Sequence, residues 1–458
     1  MFARIRLTRR SAGPYLASLF LLAWWLSTVL LTTGFETDPG QDVSTRLDST
    51  AAAVRTGSLS RQVLVISLAL GGLFLLAKEH DRWRALRQPL GLILAAYLAW
   101  IVASLTWTED PSLAFRRVVA AFFIIVGAAV WGFAFYGRLK DGLSLFAKHC
   151  VILGVISIVL LWVPSLMAGE IHLGETSWSL RPPRVSEIPS SILGLSIIGA
   201  LYLRLSRLPV GSGHRTSTTA RFLELHLGMS VITLLALKKR TSIFAVVVVA
   251  LVYALAKSSR RQRLVMLGLT AAVVVSSFTV LSSTASNVST SAGEHALRGG
   301  DVGQAASLQG RLPLWSAVLD EALERPLQGY GYGSFWNGTQ VLDRVYQEIG
   351  WLPVHAHNGY LDEILATGLI GNALLVGFFV WGLLWSLQLT RRGIDFGAVV
   401  ASWIAIMLIA NLTQNIFQDP FKASFFFPIA GLFALVAKER QLALVAKERQ
   451  PVPLDGVG

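Results

Sequence analysis

Residues 355–360 read His-Ala-His-Asn-Gly-Tyr, and they stand at the mouth of an apolar run, Leu369 to Leu389. Nine residues separate Asn358 from Gly368, and two more separate Gly368 from Gly371. The run is long enough to cross a bilayer. An imidazole takes or gives a proton near neutral pH, and it can donate to an anionic oxygen. His357, with His355 beside it, is therefore the first candidate for chemistry. A histidine in a loop is more often simply solvated, and for His355 the two readings are balanced.

Cations collect in the same and neighbouring segments. Arg181 and Arg184 precede one apolar run, Lys238-Lys239-Arg240 splits a pair of runs, and Arg311 opens a polar stretch. Guanidinium groups bind phosphate oxygens through paired, planar hydrogen bonds, and a helix N-terminus adds partial positive charge. Such a set can hold a diphosphate at a lipid–water boundary. The plainer reading of an interfacial cation is a headgroup anchor, and that is the reading given to Arg116, Arg117 and Lys422. Between Arg311 and the histidines, Pro313 suits the first turn of a helix over 314–324. Leu314, Val318, Leu319, Ala322 and Leu323 are expected on one face of it. Arg325-Pro326 ends that helix, and Gly329-Tyr-Gly-Tyr-Gly333 follows, a stretch that permits tight turns or a close backbone approach.

The elements that must position these groups are membrane helices. Hydrophobic residues make up 53% of the 458-residue chain, mean hydropathy is +0.57, and charged residues are only 15%. The expectation is an all-α polytopic membrane protein with about twelve transmembrane helices, forming one integral membrane domain over 1–458. The runs are Pro14–Leu31, Val63–Leu76, Leu90–Leu105, Val118–Phe135, Val151–Met167, Ser190–Leu203, Phe222–Leu237, Ile243–Leu255, Leu264–Leu281, Leu369–Leu389, Phe396–Leu412 and Phe425–Ala437. The first is read as a retained helix. A large outer loop, 282–358, separates the ninth run from the tenth, and 438–458 forms a tail with a nine-residue duplication. With both termini inside, the inner segments hold most of the Lys and Arg while the outer loops are slightly acidic. The net charge of +13 is then a topology signal, and it excludes nothing so much as the nucleic-acid reading it first invites. The single cysteine, Cys150, builds no intrachain disulfide or thiolate metal site. No metal-ligand spacing, Walker loop or dinucleotide fingerprint is present.

Gly310-Arg311, Trp315, Pro326, Gly329 to Gly333 and His357-Asn358 with Gly368 and Gly371 resemble the O-antigen ligase and polymerase family, which includes bacterial exopolysaccharide polymerases. The likeness is sharpest over 310–371 and extends more loosely to Arg184 and Arg240, where Lys239 replaces the small residue usual before the arginine. The resemblance implies a GT-C-like, metal-independent, inverting glycosyltransferase without a cofactor. It sits in the bacterial inner membrane with its site facing the periplasm and both termini in the cytoplasm. The donor would be a glycan on undecaprenyl pyrophosphate, and the acceptor a sugar hydroxyl on a glycan or on lipid A–core. His357 would act on the acceptor's proton. Arg311 would stabilise the leaving pyrophosphate, with Arg184, Arg240 or Lys239 binding it. Asn358, His355, Tyr330 and Tyr332 complete the candidate substrate contacts. A repeat-unit polymerase is favoured over a ligase. A transporter of a lipid-linked sugar or small anion ranks below both, because it expects charges inside the spans.

Overall fold

The computed structural model describes residues 20, 63, 65–71, 88–136, 141–167, 171–173, 178–180, 190–206, 217–236, 247, 311–337, 344–345, 353–419 and 423–448. Arg184, Lys239, Arg240 and the runs Pro14–Leu31, Ile243–Leu255 and Leu264–Leu281 lie outside them, Phe20 and Val247 excepted.

Helix α1, Pro89–Ala103, carries proline in its first turn and tightens into a 3₁₀ turn at Ser104–Thr106. The Asp110 carboxylate accepts the Leu113 N–H at 3.0 Å and so caps α2, Pro111–Val130. A π-helical turn, Trp131–Tyr136, extends α2. Then come α3, Gly142–Met167; the strands β1, Ile171–Leu173, and β2, Trp178–Leu180; α4, Ser190–Ser206; and α5, Ser217–Ala236. The strands pair antiparallel, Ile171 opposite Leu180, so an all-α expectation needs this one correction: a short ribbon stands between two helices. Beyond it lie α6, Arg311–Glu324; α7, Gly359–Arg391; α8, Phe396–Ala410; and α9, Ala423–Glu448.

Among the described residues, four stretches are long and apolar enough to cross a membrane: Pro89–Thr106, Pro111–Tyr136, Gly142–Val163 and Gly359–Arg391. Their association follows the rule that small residues let helices approach in lipid. A Cβ on Gly154 of α3 would lie 2.3 Å from Ser196 of α4, and one on Gly132 would lie 2.0 Å from the Ala430 carbonyl of α9. Phe146, Phe396, Trp403 and Phe427 fill the space between, and the Trp403 indole donates to the Leu195 carbonyl at 3.2 Å. One end of the bundle gathers the end of α1, the start of α2, the start of α7 and the end of α8. There the Gly359 N–H donates to the Asn411 carbonyl at 2.7 Å, and the Tyr360 hydroxyl donates to the Leu408 carbonyl at 2.7 Å.

The face of α6 differs from the expected one. Leu314, Ala317, Val318, Glu321 and Ala322 are buried, whereas Leu319 and Leu323 are exposed. Glu321 is tolerated inside because Arg344 binds both its oxygens, at 2.8 and 2.7 Å. The helix also starts two residues before Pro313.

Candidate functional site

Helix α7 is broken at Gly368, whose backbone stands at φ 69°, ψ −174°. That region is open essentially to glycine alone. The break frees three carbonyls and the amides that would have met them, and a loop after α6 takes them up. The Tyr330 N–H donates to the Leu365 carbonyl at 2.8 Å, and the Gly331 N–H to the Ala366 carbonyl at 2.9 Å. The Leu369 N–H donates to the Pro326 carbonyl at 2.8 Å and the Ile370 N–H to the Leu327 carbonyl at 3.4 Å. The Thr367 carbonyl accepts the Trp100 indole N–H at 2.8 Å. The loop is thus spliced into the helix, and with Trp100 it gives partners to three carbonyls and two amides, as a broken helix in lipid requires. Gly329, at φ 65°, permits the approach: its Cβ would stand 2.7 Å from the Gly368 nitrogen.

The splice fixes α6 beside the first part of α7. Leu314, Val318, Ala322, Phe335, Ala356 and Leu365 form a small core of their own. The Trp315 indole donates to the Ala356 carbonyl at 2.8 Å, and the Ala356 N–H donates to Asp362 Oδ1 at 2.9 Å. The peptide between the two histidines is therefore held from both sides. The Trp336 indole donates to the same Asp362 oxygen at 2.7 Å.

His355 and His357 meet ring against ring, with centroids 4.1 Å apart at 72°. The His357 N–H donates to His355 Nδ1 at 3.1 Å. His357 is the one non-glycine among the described residues with positive φ, 53°. That conformation costs about 1–2 kcal/mol in an L-residue, and the bonds to Ala356 and the cap of α7 hold it. Both rings are half-buried. Asn358 supplies the cap: its Oδ1 accepts the Tyr360 and Leu361 N–H groups at 3.0 and 3.3 Å. Arg311 begins α6, one turn before Trp315 on the same face. Tyr330 turns its hydroxyl toward Glu321 and Glu324, at 3.0 and 3.1 Å. Burial first, then those bonds, push it well above the ordinary phenol range. The Tyr332 amide donates to Ser104 Oγ at 3.1 Å, and its side chain is buried. Burial and the nearby Glu363 charge raise its hydroxyl too. Both phenols remain neutral donors.

Beside this segment lies a cavity of about 260 Å³, walled by Arg117, Tyr332, Trp336, Asp362, Gln418 and Asp419 among others. The sequence pattern singled out only Tyr332 of these six for chemistry. Arg117 was assigned to lipid headgroups; instead its Nη1 donates to the Gly333 carbonyl and the side chain lines the cavity. Asp362 and Glu363 are two acids in the first turns of a membrane-length helix, a signal available in the sequence. Both are buried. Glu363 accepts from the Tyr97 hydroxyl at 3.0 Å, from Thr367 at 2.8 Å and from the Gln418 amide.

Residues 225–376 match a family model described as O-antigen ligase. Over 80 residues the chain is 34% identical to the "Exopolysaccharide production protein ExoQ" of Rhizobium meliloti (strain 1021), a match covering 17% of this chain and 18% of that relative. The family match spans α6, the spliced loop, both histidines and the break at Gly368.

Proposed function

We propose, from the premise that this chain resembles the O-antigen ligase and polymerase family through residues 225–376, that it is a membrane glycosyltransferase working at the periplasmic face. It moves a glycan from undecaprenyl pyrophosphate to a sugar hydroxyl. The acceptor oxygen attacks the anomeric carbon, and that carbon's bond to the pyrophosphate oxygen breaks with inversion. The lipid pyrophosphate leaves with the bonding electron pair, and the acceptor's proton passes to His357. Arg311 stabilises the charge on the departing oxygens, with Arg184, Arg240 or Lys239 as further phosphate contacts. The observation that carries the reading is the geometry at the mouth of α7. The Trp315 indole, one turn past Arg311, bonds the Ala356 carbonyl between two half-buried imidazoles, and the spliced joint fixes the other end of α6 to α7.

The relative named for exopolysaccharide production favours a repeat-unit polymerase. The family description favours a ligase that moves finished polymer to lipid A–core. The lipid-linked glycan that accumulates in a deletion strain separates them: single repeat units mark a polymerase, long chains on the carrier a ligase. The reaction itself is tested with purified protein and a defined lipid pyrophosphate donor, without added metal or nucleotide. Transfer is expected, and His357→Ala should lose roughly 10²–10⁴-fold of it. Undiminished transfer in His357→Ala removes the base role, and a strict need for ATP or a divalent ion overturns the mechanism.

A further inference from the structure

The cavity beside the histidines has the wrong charge for a diphosphate. Its wall brings one guanidinium, Arg117, against two carboxylates, Asp362 and Asp419. The formal balance is one negative charge, whereas a phosphate site collects cations. Among the described residues no group of three or more His, Cys, Asp or Glu comes together, which also makes the cavity a poor cage for a hard cation. What it does offer is a set of planar polar groups fixed from behind. The Gln418 amide nitrogen donates to Glu363, and its backbone N–H to Asn415 Oδ1 at 3.2 Å. Gln418, whose side-chain carbonyl is an acceptor by its chemistry, is thereby fixed on the cavity wall. Asp362 is held by Trp336 and by Ala356. Glu363, behind Gln418, is itself held by Tyr97 and Thr367. Acceptors anchored in this way cost little ordering when a ligand's hydroxyls reach them. Three more wall residues are aromatic, Tyr332, Phe335 and Trp336, a surface that suits the C–H faces of a ring. At about 260 Å³ the cavity sits just below the ~300 Å³ typical floor of small-molecule pockets. It holds a sugar ring or two rather than a long lipid-linked chain.

We propose that this cavity is the subsite for a neutral sugar ring of the acceptor glycan. The ring's hydroxyls donate to Gln418 and Asp419, and Arg117 donates to one of its oxygens. The sugar's role as acceptor rests on the transferase reading above; sugar binding does not. Placement supports the role, because the Asp362 in the cavity wall is bonded to the residue between His355 and His357. A ring seated there presents a hydroxyl toward the histidine segment, while the lipid pyrophosphate is left to Arg311 and the cations outside the cavity.

The test uses the full chain in lipid nanodiscs and three neutral probes: cellobiose, lactose and methyl α-mannoside. Saturation-transfer NMR should detect ring protons of at least one probe on the wild type. Gln418→Ala and the isosteric Asp419→Asn should each weaken binding about tenfold, the loss of one ligand hydrogen bond. Inorganic pyrophosphate should not compete. In the transfer assay both variants should raise KM for the acceptor about tenfold, with kcat and donor KM nearly unchanged. Sugar binding without any transfer would sink the transferase reading and leave the cavity assignment standing. Normal acceptor KM in both variants, displacement by pyrophosphate, or no signal from all three probes overturns the cavity assignment.

Discussion

Replacing Gly368 by alanine tests whether the spliced joint holds the site together. A Cβ there would stand 2.1 Å from the Leu327 carbonyl oxygen and 2.4 Å from the Gln328 nitrogen. Both are backbone atoms, so no rotamer change relieves the clash. The backbone conformation itself costs a non-glycine residue about 1–3 kcal/mol. If the loop instead lifts away, four hydrogen bonds at Tyr330, Gly331, Leu369 and Ile370 are lost, at a net ~1 kcal/mol each. The clash adds to the first figure and the second sums to about 4 kcal/mol, and a loss of about 3 kcal/mol or more is a hundredfold or more in the docked fraction. Hydrogen exchange by mass spectrometry, on protein in nanodiscs, reads this directly. In Gly368→Ala the amides of Tyr330 and Gly331 should exchange at least about a hundredfold faster, while the α3–α4 core is unchanged. Gly377→Ala is the control, since nothing lies within 4 Å of its added Cβ. Wild-type protection of Tyr330 and Gly331 in Gly368→Ala would refute the joint.

His357→Gly should be more stable than His357→Ala by about 1 kcal/mol, because only glycine escapes the cost of positive φ; thermal melts compare them, and both should be inactive in transfer. Asp362→Ala strips the acceptor from two buried donors, Trp336 and Ala356, and should lower stability by about 2–4 kcal/mol. Asp362→Asn, which keeps an oxygen, should recover most of that, and equal melting temperatures for the two would contradict the account. Arg311→Lys should impair transfer although charge is kept, because an ammonium cannot make paired contacts; normal rates would reduce Arg311 to a headgroup anchor. Arg311→Cys and Arg392→Cys, each in a Cys150→Ser background, should differ in intact cells. Arg392 caps the far end of α7, whose stretch after the break at Gly368 alone runs about 35 Å, so an impermeant reagent should label only position 311.

Elements whose signal is local were legible in the sequence. Arg325-Pro326 does end α6, and the four membrane-length helices fall on apolar runs read from composition. Elements whose partners are distant were not. Arg117 reads as a headgroup anchor until Gly333, 216 residues away, supplies the carbonyl it binds. Glu363 reads as one acid in a helix mouth until Tyr97, 266 residues away, donates to it. The α6 face was misassigned for the same reason, since Arg344 is what allows Glu321 inside and turns Leu319 and Leu323 out. Periodicity reports which residues share a face, and it is silent about a buried charge whose counter-ion arrives from another loop.

The glycines carry the deepest version of this point. In the sequence, Gly329 to Gly333 suggests a turn, and Gly368 with Gly371 shows only a spacing from Asn358. Each reading is sound locally, and neither discloses that Gly329 and Gly368 face each other across one joint. The joint also explains why the chemistry-bearing segment can sit at a membrane helix at all. A helix broken in lipid must have its exposed carbonyls and amides satisfied by other protein groups. Here the loop that satisfies them is the continuation of α6, the helix that starts with Arg311. The broken helix is the one whose first residue follows the His355–Asn358 segment. The same backbone bonds that repair the helix therefore fix α6 beside the part of α7 that follows the two imidazoles. A change at the joint, far from any reacting atom, is expected to reach both.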